Sequence, residues 1–274
     1  MHRSSRLSFR RPNSSRRFQS RHLAILTSVI LAIATASQVA DAQATLTAFE
    51  QSAAQAFNPN NKTFSSISMA GSGVWTAGSL SESGTVTLQI FANGSFTEKW
   101  ELPTQSHTYE STITSVVTTC TYTDPSGKQT VISDMSCMQS IPWFAPWFGL
   151  ESVAGGQIVV TDTTQSLDVS SGNERLSFRP NVTPPNGTTA LDAQAEELFQ
   201  QGTLVNVSYD LKTSVPVSIR FDQLLDSNLA HSIQREASFA DYRTESGYLI
   251  PHHIQRFIQR TLQADITITS VTAQ

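Results

Sequence analysis

The sequence predicts an α+β protein dominated by one antiparallel sheet. Two observations carry this. From Leu204 to Val271 the chain reads as five short strands in a row, with apolar side chains on alternate positions: Val205, Val207, Tyr209; Val215, Val217, Ile219, Phe221; Leu262, Ala264, Ile266, Ile268. The intervening Gln263, Asp265, Thr267 and Thr269 are polar. A period of two means one face buried and one face wet, as in an antiparallel sheet. The second observation is the order of elements: helix, several strands, a linker with a helix, then more strands.

The elements follow in order. Thr45 to Phe57 has a helical pattern, with Leu46, Phe49, Ala53 and Phe57 at three- and four-residue spacing, and Asn58-Pro59-Asn60-Asn61 stops it. A β region punctuated by Gly71, Gly73, Gly78 and Gly84 follows. Val86, Leu88 and Ile90 alternate; after the Asn93-Gly94 hairpin turn, Phe96, Trp100 and Leu102 continue the pattern. Tyr109 to Tyr122 is rich in Thr and Val and reads as one further strand, and Ile158 to Leu167 as another. Between them, Ile141 to Leu150 combines Trp143, Phe144, Trp147 and Phe148 with Pro142 and Pro146. The prolines exclude a central strand, so this segment packs as a plug or lid or stays available to a partner. Residues 179–189 form the best linker, and Thr189 to Gln201 is a second helix ending at Gly202.

The N-terminus reads as an export signal. Residues 1–22 hold seven arginines and no acidic residue, and Leu23 to Ala36 is mostly apolar. That run is shorter than the roughly 20 residues of a membrane span. Ala40-Asp41-Ala42 and Ala42-Gln43-Ala44 fit a small-x-small cleavage site. The reading is therefore a signal peptide over 1–42 and a single β-rich domain over 43–274, placed in the periplasm or secreted. Of 18 basic and 22 acidic residues, seven basic and one acidic lie in 1–42, which leaves 11 against 21 and a net charge near −10. Such an acidic domain repels phosphate backbones, which argues against nucleic acid and anionic membrane surfaces. The two cysteines, Cys120 and Cys137, flank the turn Asp124-Pro125-Ser126-Gly127-Lys128. An even count in an oxidising compartment favours a disulfide between them.

Catalytic signatures are missing: no nucleophile elbow, zinc motif, phosphate loop or dinucleotide fingerprint occurs. No catalytic residue, metal ligand or cofactor is expected. His252 and His253 point to opposite faces of a regular strand, so they cannot chelate one metal together. Asp241 and Arg243 share a face and form an ion pair. The aromatic residues are the stronger lead. Trp143, Phe144, Trp147, Phe148 and Trp75 are the candidate ligand-binding residues, because an apolar patch of large rings marks a binding surface.

The meander also resembles a known family. Val207-Ser208-Tyr209-Asp210, Val215-Pro216-Val217-Ser218-Ile219, Phe239-Ala240-Asp241-Tyr242-Arg243 and Gly247-Tyr248-Leu249-Ile250-Pro251-His252-His253-Ile254 are similar to the lipoprotein-sorting carrier (LolA-like) superfamily of exported bacterial proteins. Within it they look most like an acidobacterial branch. The resemblance covers about 70 residues and implies a curved antiparallel half-barrel whose concave face is covered by one or two helices, or by an acyl chain. It implies no catalytic residue. The chain departs from those carriers in its Pro142–Phe148 segment and its two cysteines. The expected function is an exported protein that carries or senses a lipid or other apolar ligand. The competing expectation is an interaction module that binds an envelope protein and no small molecule.

Overall fold

A computed structural model of the protein describes residues 51–113, 118–132, 136–137, 158–161, 173–180, 203–225 and 228–274. The export signal expected over 1–42, the Trp143–Phe148 segment and the helix expected over 189–201 lie outside the described residues. Among those described are helical residues 51–57 (α1) and 136–137, and thirteen strands in a single open sheet. The strands are β1 (Ser66–Ala77), β2 (Leu80–Phe91), β3 (Phe96–Glu101), β4 (His107–Ile113), β5 (Thr118–Thr123), β6 (Gln129–Ile132) and β7 (Ile158–Thr161). Then come β8 (Asn173–Pro180), β9 (Val205–Asp210), β10 (Pro216–Leu225), β11 (Asn228–Glu245), β12 (Tyr248–Ile258) and β13 (Thr261–Ala273).

The spatial order is β6-β5-β4-β3-β2-β1-β13-β12-β11-β10-β9-β8-β7, and every pair is antiparallel. Two meanders thus run outward from a central seam where β1 meets β13. Among the described strands only that seam joins partners distant in sequence, and it holds Ile67 opposite Ala273 and Trp75 opposite Ala264.

The alternation in the sequence decides which face is buried. Val86, Leu88 and Ile90 of β2, Val205, Val207 and Tyr209 of β9, and Ala264, Ile266 and Ile268 of β13 are all buried. Their polar neighbours Thr85, Thr87, Thr267 and Thr269 are exposed. Burial of one apolar face at about 25 cal/mol per Å² is what holds such a sheet in register. Helix α1 lies on that face: Phe57 packs 5.5 Å from Tyr248 and 6.5 Å from Phe64. Asn58 ends the helix by bonding both the amide and the carbonyl of Lys62, at 2.9 and 2.7 Å.

Four expectations need correction. The five C-terminal strands are not all short: β9 has 6 residues, but β11 has 18 and β13 has 13. The Tyr109–Tyr122 stretch is two strands, β4 and β5, paired antiparallel with Tyr109 opposite Tyr122. A continuous run of β-formers hides a reversal when no Gly or Pro marks it. Arg179 and Pro180 are not linker but the end of β8, opposite Val159 and Ile158. A terminal strand position accepts proline. Leu262 is 38% exposed, not buried, because the β12–β13 register shifts between Arg256 and Phe257 beside it.

Candidate functional site

Curvature makes the site. Glu98 on β3 and Arg256 on β12 lie four strand steps apart, with β2, β1 and β13 between them. At about 4.8 Å per step a flat sheet would separate them by roughly 19 Å, beyond the joint reach of the two side chains. Yet Arg256 Nη1 and Nη2 donate to Glu98 Oε1 and Oε2, each at 2.6 Å. The buried face is therefore strongly concave. Both side chains are 3% exposed, and Trp100 Nε1 donates a third bond to Glu98 Oε1 at 2.8 Å. Gly73 on β1 makes this possible, since a Cβ there would collide with the Trp100 ring at 2.8 Å.

Under this curve lies a cavity of about 240 Å³. Trp75, Tyr109, Tyr122 and Phe221 are the aromatic residues of its described lining, and Glu98, Arg235, Arg256, His107 and Gln223 the principal polar ones. Trp75 packs 5.3 Å from Trp100 and 4.4 Å from His107, and Tyr109 packs 5.9 Å from Tyr122. Burial pushes the Tyr109 phenol up to about 12, so it stays protonated and can donate. Burial also lowers the pKa of Arg235, and the neighbouring Arg256 cation adds to that against the favourable Tyr109. Gln223 bridges the two sides: its Oε1 accepts from Arg235 Nε at 2.9 Å, and its Nε2 donates to Ser136 Oγ at 3.0 Å. Ser136 sits beside Cys137, which is bonded to Cys120 on β5. The disulfide thus fastens one wall of the cavity to the sheet.

No family model matches the chain, and no curated protein matches it. Solved structures do. The chain is similar to a domain named for outer membrane lipoprotein sorting from Vibrio parahaemolyticus, at 10% identity and TM-score 0.46, covering 78% of this chain and 87% of that one. It is similar to a LolA superfamily protein from Nitrosomonas europaea, at 8% identity and TM-score 0.43, covering 83% and 93%. A DUF1329 family protein from Desulfovibrio piger follows at 10% identity and TM-score 0.42, covering 83% and 92%.

Of the residues singled out in the sequence, Trp75 lies on the cavity wall, and Cys120 and Cys137 are joined. Trp143, Phe144, Trp147 and Phe148 lie outside the described residues. His252 is buried, with Nδ1 2.9 Å from the Ile268 carbonyl, while His253 faces outward beside Asp265 at 2.9 Å. They point apart, as a strand requires. Asp241 and Arg243 pair at 2.6 Å on the exposed side. Among the described residues no group of His, Cys, Asp and Glu is placed to hold a metal ion, and no helix is long and apolar enough to cross a membrane.

Sequence reasoning missed Glu98, Arg235 and Arg256. The signal was present. Glu98 sits between Phe96 and Trp100, and Arg256 between Ile254 and Ile258, at inward positions of alternating strands. A charge in phase with the apolar face is a buried charge, and a buried charge needs a partner.

Proposed function

We propose that this chain is an exported binding protein that carries or senses a lipid or another largely apolar ligand on the concave face of its sheet. One observation carries the reading: a cavity under a strongly curved, open sheet, with Trp75, Tyr109, Tyr122 and Phe221 on its walls. A concave pocket that joins aromatic walls to fixed polar groups is how proteins hold small, largely apolar molecules. Both oxygens of Glu98 are held by Arg256, which makes the pair a fixed part of the cavity wall. The export pattern of residues 1–42 and the disulfide fit an extracytoplasmic carrier. Trp143, Phe144, Trp147 and Phe148 are proposed to contribute to the same ligand surface.

The test is a titration of the mature chain with phenylnaphthylamine, an apolar reporter that brightens out of water. Saturable enhancement, reversed by dodecanol and weakened by Trp75→Ala, is the expected result. Trp143→Ala and Trp147→Ala weaken it too if the aromatic segment shares the site. No saturable enhancement in folded protein overturns the reading.

A further inference from the structure

One polar atom on the cavity wall is left over by the packing. His107, at the start of β4, is buried, lines the cavity and stands opposite Trp100 of β3. Its Nδ1 lies 2.7 Å from the Gln105 carbonyl oxygen. A carbonyl only accepts, so Nδ1 carries the ring hydrogen, and Nε2 of the neutral imidazole is an acceptor. Among the described residues Nε2 has no hydrogen-bond partner. A buried acceptor without a partner is uncommon in a native protein and unfavourable. The charged lining groups differ: Glu98 is held by Arg256 and Trp100, and Arg235 by Gln223.

A second polar group reaches the same wall for a separate reason. Arg256 stands opposite Ala264 but Phe257 opposite Leu262, so Gln263 is the extra residue of a bulge. The sequence alternation puts Gln263 on the outer face with Asp265, yet it lines the cavity. A bulge re-aims a side chain in this way. Gln263 brings a primary amide, donor and acceptor both, and it adjoins Ala264, the residue opposite Trp75. The Trp75 ring in turn lies 4.4 Å from the His107 ring. Both polar groups therefore belong to the Trp75 end of the cavity.

Resting on the binding-cavity reading above, we infer that the ligand is an uncharged, hydroxyl-bearing apolar molecule, of the chemical class of a long-chain alcohol, whose O–H donates to His107 Nε2, with the Gln263 amide as its second polar contact. A hydroxyl fits because it donates where Nε2 accepts; an ionised carboxylate brings only acceptors, and an ether brings no donor. Nε2 is closed to solvent, and Trp75, half-buried beside the imidazole, is the side chain that shifts as the ligand enters.

The experiment is displacement of phenylnaphthylamine from the mature chain at pH 8 by dodecanol and by dodecyl methyl ether, which keeps the chain and the oxygen but has no donor. The quantity read is the ratio of the two affinities, alcohol over ether, compared between wild type and variants, so that the different water solubilities of the probes cancel. His107→Phe keeps a ring beside Trp75 and removes the acceptor. It is expected to lower the ratio about fivefold or more, the scale of one net hydrogen bond, and to leave the ether within twofold. Gln263→Leu, at a half-buried bulge position away from the core, is expected to lower the ratio about twofold or more, and it decides alone if His107→Phe does not fold. An unchanged ratio in folded His107→Phe overturns this inference and leaves the binding-cavity reading standing. Wild-type protein that binds neither the reporter nor the two probes overturns both.

Discussion

Breaking the Glu98–Arg256 fork tests the curvature that creates the cavity. In Arg256→Met, Glu98 loses both guanidinium bonds and keeps only Trp100 Nε1, at a position where its side chain is 3% exposed. Removing one partner of such a pair costs about 3–5 kcal/mol, because the other charge is left buried without compensation. Replacing both, as Glu98→Leu with Arg256→Met, is expected to recover most of that loss, since well-packed apolar residues of similar volume stand in for a buried pair at little net cost. The same strand supplies the control. Lys99 and Glu101 form a pair of the same length, 2.6 Å, but on the outer face with side chains 56% and 61% exposed. Lys99→Ala is expected to leave stability unchanged within error. The assay is urea unfolding followed by tryptophan emission, with midpoint and slope read together. A loss below about 1 kcal/mol in Arg256→Met would show that water reaches Glu98, and therefore that the face is less closed and less curved than described. A Lys99→Ala loss as large as that of Arg256→Met would equally remove burial as the cause.

Three further outcomes follow from the same geometry. Reducing the Cys120–Cys137 bond, which closes a separation of 17 residues, is expected to lower stability by roughly 3 kcal/mol in the chain-entropy estimate and to loosen the Ser136 wall, read as a lower unfolding midpoint and weaker reporter binding. Gly71→Ala places a Cβ against the Thr267 carbonyl oxygen across the β1–β13 seam, so a loss of about 1–3 kcal/mol is expected, with Ser72→Ala on the outer face as a silent control in the same denaturation assay. The folded Tyr109 phenol holds its proton up to about 12, whereas the unfolded chain releases it near 10; the stability this residue contributes is therefore complete below pH 10 and is lost as pH rises from 10 to 12. Tyr109→Phe is expected to flatten that alkaline decline in a pH series of thermal midpoints, and an unchanged decline would rule out Tyr109 as its source.

The sheet was largely legible because alternation reports burial directly. Val86, Leu88 and Ile90, or Ala264, Ile266 and Ile268, each announce which side of a strand is covered. The Asn93-Gly94 and Asp124–Lys128 turns announce hairpins through residues suited to left-handed or Asx-turn backbone, and Gly94 indeed has φ 86°. The reversal between β4 and β5 carries no such residue, so the run of β-formers continues through it as if it were one strand. The seam between β1 and β13 was not legible either, since nothing local marks a pairing of strands some 200 residues apart. The cavity fell between the two. Trp75 could be singled out as a large ring, but the partners of Glu98 and Arg235 depend on curvature, and curvature sums small twists over many strands. An in-phase charge tells that a partner exists; only the fold tells which one. Trp100 shows the reverse, where a ring that reads simply as core also orients a buried carboxylate.

The most direct test of a ligand on the concave face is native mass spectrometry of the protein purified from its own cell envelope, with organic extraction of the same sample. The expected result is a population heavier than the mature chain by the mass of an amphiphile, lost on extraction and recovered in the organic phase, and depleted in the Trp75→Ala variant. A spectrum showing only the bare mature chain, from preparations in which the Cys120–Cys137 bond is intact, would contradict it.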